Sequence, residues 1–404
     1  MSTADSIQAD AFACSDPVGD GRQSARTGTP KDAERWRTHR GQARTRGIGW
    51  YRRDTETRGY PVGEDWYVVG VDCGGTTNAG TVLRSDGRFL VDRLIESPSR
   101  VLDGPVAAVA ALEEALDAAL DEAGIGREQV RVVGLDTPGP ASATGVISSR
   151  GATNFSGPQW RGFDVRGALE HRLRLPVGYI NDANAAALYA HYAYFGSARA
   201  LYSSVAAIVG TGLGGGLVEA GTVITGRSGM AGELGHVQIP LDGILEQDQP
   251  IPRCNCGLFG DVESLASLTG IRKNLLPYWL TRYPDHPLHR VPDEAERTYR
   301  VRTLAEEGDE MCLRIFRQQA DAIAALFHIA SNFTDPTAYV VGGGVVEATD
   351  EFRTWFIDRV GEHMNLREEQ AEVAVVATVP DLDMAGSRGA ALSALDSART
   401  SAAT

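Results

Sequence analysis

Asp182 stands where an apolar run meets an alanine-rich stretch, in Tyr179-Ile180-Asn181-Asp182-Ala183-Asn184. Residues 176–180 read as a strand and residues 183–194 as a helix. A carboxylate at that junction has two possible jobs. It can cap the helix, whose first N–H groups lack intrahelical partners. Or it can face a ligand, because ligands collect at the carboxyl ends of strands in α/β folds. In the second job it can accept the proton of an attacking hydroxyl. Phosphoryl transfer asks little more covalent chemistry of a protein than that.

Three glycine clusters suggest what such an aspartate would face. Asp72-Cys73-Gly74-Gly75-Thr76-Thr77 follows an apolar run, as does Gly210-Thr211-Gly212, and Gly342-Gly343-Gly344 closes a third. Glycine lets the backbone approach an anion, and successive N–H groups form an anion nest. Threonine hydroxyls donate to phosphate oxygens, and Asp72 can hold a hydrated Mg2+. No Gly-Lys-Ser/Thr follows, so this is no Walker loop; residues 210–216 lead into more strand, so they are no Rossmann fingerprint. One nucleotide lying in a cleft accounts for the three clusters together. Asn154, Asn181, Glu233 and Glu263 carry planar amides and carboxylates, which suit the vicinal hydroxyls of a polyol.

The elements that must position these groups come in two similar series. The first has strands at 67–72, 81–83 and 89–95, a helix at 105–123, a strand at 130–135 and a helix at 165–173, then the Asp182 junction. The second has strands at 205–209, 217–218 and 223–224, a helix from 262 and a polar excursion at 280–300. Helix at 304–333, strand at 338–341, helix at 350–364, strand at 373–376 and helix at 386–395 complete it. Each series opens with a strand and a glycine-threonine turn. This weak repeat predicts two α/β lobes, 65–195 and 196–404, with a cleft between them. Residues 1–64 are polar, rich in Arg, Thr and Gly and without period, which predicts a flexible arm.

Composition narrows the class. The 404 residues are 43% hydrophobic and 23% charged, as in soluble globular proteins. Net charge is −14, although residues 22–60 hold eleven Arg and Lys against four Asp and Glu. The rest is strongly acidic, which disfavours nucleic-acid and membrane-surface partners. No run of 18 apolar residues and no secretory signal pattern is present. The five cysteines give no disulfide framework, so a cytoplasmic protein acting on a small molecule is expected.

With these residues in view, the chain from about 66 to 396 resembles the ROK family of sugar kinases and sugar-responsive repressors, its bacterial glucokinase-like members above all. The resemblance rests on Asp72-Cys73-Gly74-Gly75-Thr76, Asn181-Asp182-Ala183-Asn184-Ala185-Ala186 and residues 210–216. Ala231-Gly232-Glu233-Leu234-Gly235-His236 and Gly342-Gly343-Gly344 add to it. It implies the two-lobed actin-like ATPase (ribonuclease H-like) fold, with ATP and Mg2+ in the cleft. Asp182 would be the base, and Asn154, Asn181, Glu233, His236 and Glu263 the sugar contacts. The nucleotide would meet Asp72, Gly74, Gly75, Thr76, Thr77, Gly210, Thr211, Gly212, Gly342, Gly343 and Gly344. Glucose is the expected substrate, with an amino sugar, a mannose-like sugar or a C7-cyclitol as alternatives. A homodimer is implied too. Family members often hold a structural zinc on a histidine and three cysteines. Here the ligands would be His236, Cys254 and Cys256, with Asp261 where the third cysteine belongs. A repressor would need a helix-turn-helix pattern within residues 1–64, and none is legible there.

Overall fold

Tyr67-Val68-Val69-Gly70-Val71 has no polar face, so a strand made from it must be covered on both sides. It forms β1 (Tyr67–Cys73), the middle of a five-stranded sheet. The computed structural model describes residues 65–139, 141–148, 155–379 and 382–403. The expected arm at 1–64 and the sugar-contact candidate Asn154 lie outside them.

On one side of β1 run the antiparallel β2 (Thr77–Arg84) and β3 (Glu96–Pro98). On the other run the parallel β4 (Val130–Thr137) and β5 (Val177–Asn181). The second sheet repeats the plan around β6 (Ser204–Val209). β7 (Leu213–Glu219) and β8 (Thr222–Val223) are antiparallel on one side; β9 (Ala338–Gly343) and β10 (Val375–Thr378) are parallel on the other. The orders β3-β2-β1-β4-β5 and β8-β7-β6-β9-β10 correspond strand for strand. The weak repeat in the sequence is therefore a repeat of topology.

Helices α1 (Pro105–Ala123) and α2 (Val165–Leu173) cover the outer face of the first sheet, with Leu112, Leu116 and Leu169 packed on Val69 and Val133. The alanine-rich α3 (Asp182–Phe195) packs on β6 and β7. Beyond it lie α4 (Leu276–Arg282), α5 (Glu294–Glu306), α6 (Glu310–Thr334) and α7 (Asp350–His363). Ile323 and Phe327 of α6 pack in one core with Val205, Tyr339 and Val341 of the second sheet. The last helix, α8 (Ala385–Ala403), returns to the first sheet and packs against both it and α3. Its approach to the strands is too close for side chains. A Cβ at Gly70 or Gly134 would run into the carbonyl of Ser387 or Ala390.

Four expected elements differ. The third strand is Glu96–Pro98, not 89–95, because Phe89 turns to meet the rings of Tyr189 and Tyr192, 6.2 and 5.9 Å away between centroids. No helix starts at Val262. The hydroxyls of Ser264 and Ser267 bond back to Asp261 and Glu263 carbonyls, and Ser267 becomes the cap of the helical stretch that follows. Residues 280–300 are not wholly an open excursion: Leu288 and Val291 are buried, and Asp293 caps α5. The long helix of 304–333 is two helices, broken at Gly308 (φ 89°) and restarted by the cap Asp309. Among the described residues no helix is long and apolar enough to cross a membrane.

Candidate active site

The strand ends of β1, β5 and β6 open on one cleft of about 970 Å³. At the end of β5 two polar side chains meet the start of the helix. Asn181 is the N-cap of α3: its Oδ1 accepts from the N–H groups of Ala183 and Asn184, at 3.0 and 3.3 Å. Asp182 is thereby the first helical residue. Its Oδ1 accepts from Ala183 N–H at 2.7 Å, and it lines the cleft. Burial raises the Asp182 carboxyl to about 7 against the Ala183 N–H, with the charges of Asp72 and Glu233 adding to the rise. A carboxylate poised near neutrality is what proton abstraction at physiological pH requires.

One part of the cleft suits a polyol. Asn181, Glu233, His236 and Glu263 all line it. Gly139 sits among them: a Cβ there would lie 3.2 Å from Asn181 Nδ2 and 3.8 Å from Glu233 Oε1. Glu263 ties two loops together, accepting from Leu213 N–H on one oxygen (3.0 Å) and from the Cys254 thiol on the other (3.2 Å). Each oxygen keeps a second lone pair for a ligand. Burial raises Glu233 above the usual carboxylate range, partly offset by His236.

Another part suits phosphates. Asp72, Gly74, Gly75, Gly210 and Gly212 line the same cavity. The Gly210 turn is clamped from behind, since Leu268 and Thr269 donate to the carbonyls of Gly210 and Thr211. The other nucleotide candidates stand back from the cavity wall. Thr77 spends its hydroxyl on Glu96 (2.9 Å), and Thr76 and Thr211 are exposed. Gly342 lies behind Leu382 and Ile208, which themselves line the cleft, and the Gly344 carbonyl accepts from Arg302.

Sequence reasoning missed Gly139, Met230, Asn255 and the start of α8, where Asp383 and Gly386 line the cleft. It also passed over Asp136. This residue is fully buried and is paired in register with Asp72 across β1 and β4. Burial raises both carboxyls, and the Asp72 charge raises Asp136 further. A signal was available: two neighbouring apolar strands each end in Asp.

Beside the polyol end, one ligand atom each from His236, Cys254, Cys256 and Asp261 lies within 4.8 Å of the others. His236 Nδ1 is 3.3 Å from Asp261 Oδ2 and 3.9 Å from Cys254 Sγ; Cys256 Sγ is 3.6 Å from Asp261 Oδ2. Zinc bond lengths of roughly 2.0–2.3 Å give tetrahedral edges of about 3.3–3.8 Å, so the donor set and its spacing suit that ion. The buried Asp261 is oriented by the N–H of Ser264 at its other oxygen (3.0 Å). His236 uses Nδ1 in this cluster, which leaves Nε2 free for a ligand.

Two matched sheets with helices between them and a cleft at their strand ends define the two-lobed actin-like ATPase class. The chain belongs to the ROK family, whose model matches residues 68–397. It is 30% identical to the glucokinase of Thermotoga maritima over 285 residues, 70% of this chain and 83% of that one. It is 29% identical to the N-acetyl-D-glucosamine kinase of Citrobacter koseri over 331 residues, 80% of this chain and 97% of that one. Among solved structures, the ROK hexokinase of Thermus thermophilus superposes with a TM-score of 0.64 at 29% identity, over 83% of this chain and 99% of that one. The ROK glucokinase of Streptomyces griseus, solved with glucose and AMPPNP, gives 0.58 at 27%, over 82% and 99%.

Proposed function

We propose that the protein transfers the γ-phosphoryl group of ATP to a hydroxyl of glucose, with Asp182 as general base. That it is a sugar kinase rests on its family and on relatives that phosphorylate hexoses. The observation that supports the base assignment is the place of Asp182 on the cleft wall with a raised carboxyl. Asn181 is the N-cap, and Asp182, which also accepts from Ala183 N–H on Oδ1, lines the cleft with a carboxyl near 7. It has phosphate-binding glycines on one side and Asn181, Glu233, His236 and Glu263 on the other. These four would orient the sugar so that one hydroxyl points at Asp182. The Gly74, Gly75, Gly210 and Gly212 backbone would hold the phosphates in line with it. Asp72 would hold Mg2+, which supplies charge neutralisation at the phosphates when bound. His236, Cys254, Cys256 and Asp261 would hold a structural zinc that fixes His236 beside the sugar. Free thiols and an ATP substrate suit the cytoplasm, and the family resemblance suggests a homodimer.

An amino sugar is the second reading, favoured by the N-acetyl-D-glucosamine kinase relative. An ADP-release assay across glucose, mannose, N-acetylglucosamine, N-acetylmannosamine and cyclitols decides between them. Turnover of glucose with the highest kcat/KM supports the proposal, and turnover of none of them overturns it.

A further inference from the structure

A second cavity, of about 590 Å³, adjoins the cleft at the cysteine loop, and Asn255 lines both. Its walls carry three cations, Arg253, Arg272 and Lys273, two amides, Asn255 and Asn274, and a single carboxylate, Glu294. Such a concentration is conspicuous in a chain of net charge −14. Among the described residues none of the three cations is paired with a carboxylate. Among the described residues the half-buried Arg272 has no hydrogen-bond or ion-pair partner. Lys273 donates to the neutral Asn255 Oδ1 at 2.6 Å, and Arg253 lies over the Phe259 ring, 5.6 Å from its centre.

The walls are held from behind. Asn274 brackets Arg253, accepting from its N–H and donating to its carbonyl, both at 3.2 Å, and donates to the Ser264 carbonyl at 2.8 Å. Arg272, Lys273 and Asn274 all belong to one π-helical turn, Ile271–Leu275, a geometry that recurs at functional sites. Guanidinium forks and an ammonium match a phosphate monoester; amides and a carboxylate match hydroxyls. The volume suits a small ligand carrying both.

We propose that this cavity binds a phosphorylated monosaccharide, apart from the reacting substrate, and that its occupancy is felt in the cleft through Asn255. A phosphate there would compete for Lys273 and release the amide of Asn255, which stands between the two loop cysteines. The identity of the ligand as the product class rests on the sugar-kinase reading; the anion site itself does not.

The test is calorimetry on the full-length protein, with the cleft first filled by the sugar that is turned over and a non-hydrolysable ATP analogue. The probes are glucose 6-phosphate, inorganic phosphate and glucose. One further site for glucose 6-phosphate is expected. It should weaken as salt rises and by at least tenfold in Arg272→Gln, while the kcat of that variant without sugar phosphate stays unchanged. Inorganic phosphate should bind more weakly and glucose not at all. Loss of glucose 6-phosphate binding on filling the cleft, or wild-type affinity in Arg272→Gln, overturns the proposal. Inorganic phosphate binding as tightly as glucose 6-phosphate overturns the sugar part. Should no sugar be turned over, the titration is run on the unliganded protein. A site sensitive to Arg272→Gln would then stand while the kinase reading falls.

Discussion

As the proposed base, Asp182 already accepts the Ala183 N–H on Oδ1, and its ionisation sets the pH behaviour. Asp182→Asn should lower kcat by roughly 10²–10⁴-fold, the usual contribution of a positioned base. Sugar binding measured by calorimetry should change little; near-normal turnover would remove Asp182 from the mechanism. In the wild type kcat/KM should fall below a pH of about 7, where the carboxyl takes up its proton. The sign for stability is opposite to that of an ion-paired carboxylate. The carboxyl titrates near 7 in the fold and near 3.9 when unfolded, so the native state holds the extra proton between those values. The residue's contribution is therefore greatest below pH 4 and falls as pH rises towards 7. Asp182→Asn should raise thermal stability at pH 8, by up to about 4 kcal/mol, and give no such advantage at pH 4. Equal stability at both pH values would contradict this burial argument. That Asp182 lines the cleft was legible because its type and its place at a strand end were both in the sequence. Asp136 was not singled out, because its burial and its register with Asp72 exist only once β1 and β4 pair.

At the junction of β5 and α3 two adjacent polar residues share the first N–H groups of the helix, Asn181 as N-cap and Asp182 through Ala183. Removing the cap should therefore disturb the base. Asn181→Ala should cost about 1 kcal/mol of stability, as cap losses do, and should also lower kcat, because Asp182, already bonded to Ala183 N–H, is left as the neighbouring acceptor for the N–H of Asn184. Asn181→Ser, which can still cap, should restore the stability measured by thermal melting. Failure of the alanine variant to lose stability would show that Asp182 alone satisfies the helix. Long periodic elements such as α1 and β1 were readable from their apolar spacing. The elements misread were those that local polar chemistry or tertiary packing decides. Ser264 and Ser267 hold residues 262–267 out of a helix, and Phe89 is drawn to Tyr189 and Tyr192. The return of α8 to the first sheet was also invisible, although its requirement for Gly70 and Gly134 is written in the strands.

At the scale of the molecule, two sheets of one topology face a shared cleft across α3 and α8, and each lines it with candidate site residues. The first brings Asp72, Asn181 and Asp182; the second brings the Gly210 turn, Glu233, His236 and Glu263. The second set lies on loops and turns, so something besides a strand must hold it. Glu263 links the Gly210 turn to Cys254, and Cys254, Cys256 and Asp261 surround His236 Nδ1. A zinc on these four ligands would fix the sugar side of the cleft while leaving the phosphate side alone. Purified protein should then carry one zinc per chain by metal analysis. Chelation should lower the melting temperature and raise KM for the sugar more than KM for ATP, and added zinc should reverse both effects. Asp261→Cys should bind zinc at least as well, since it supplies a thiolate at the same place, whereas Asp261→Ala should lose the ion and show the chelated behaviour without chelator. A preparation free of zinc with unchanged KM for the sugar would mean that the His236–Asp261 hydrogen bond is enough to hold the histidine by itself.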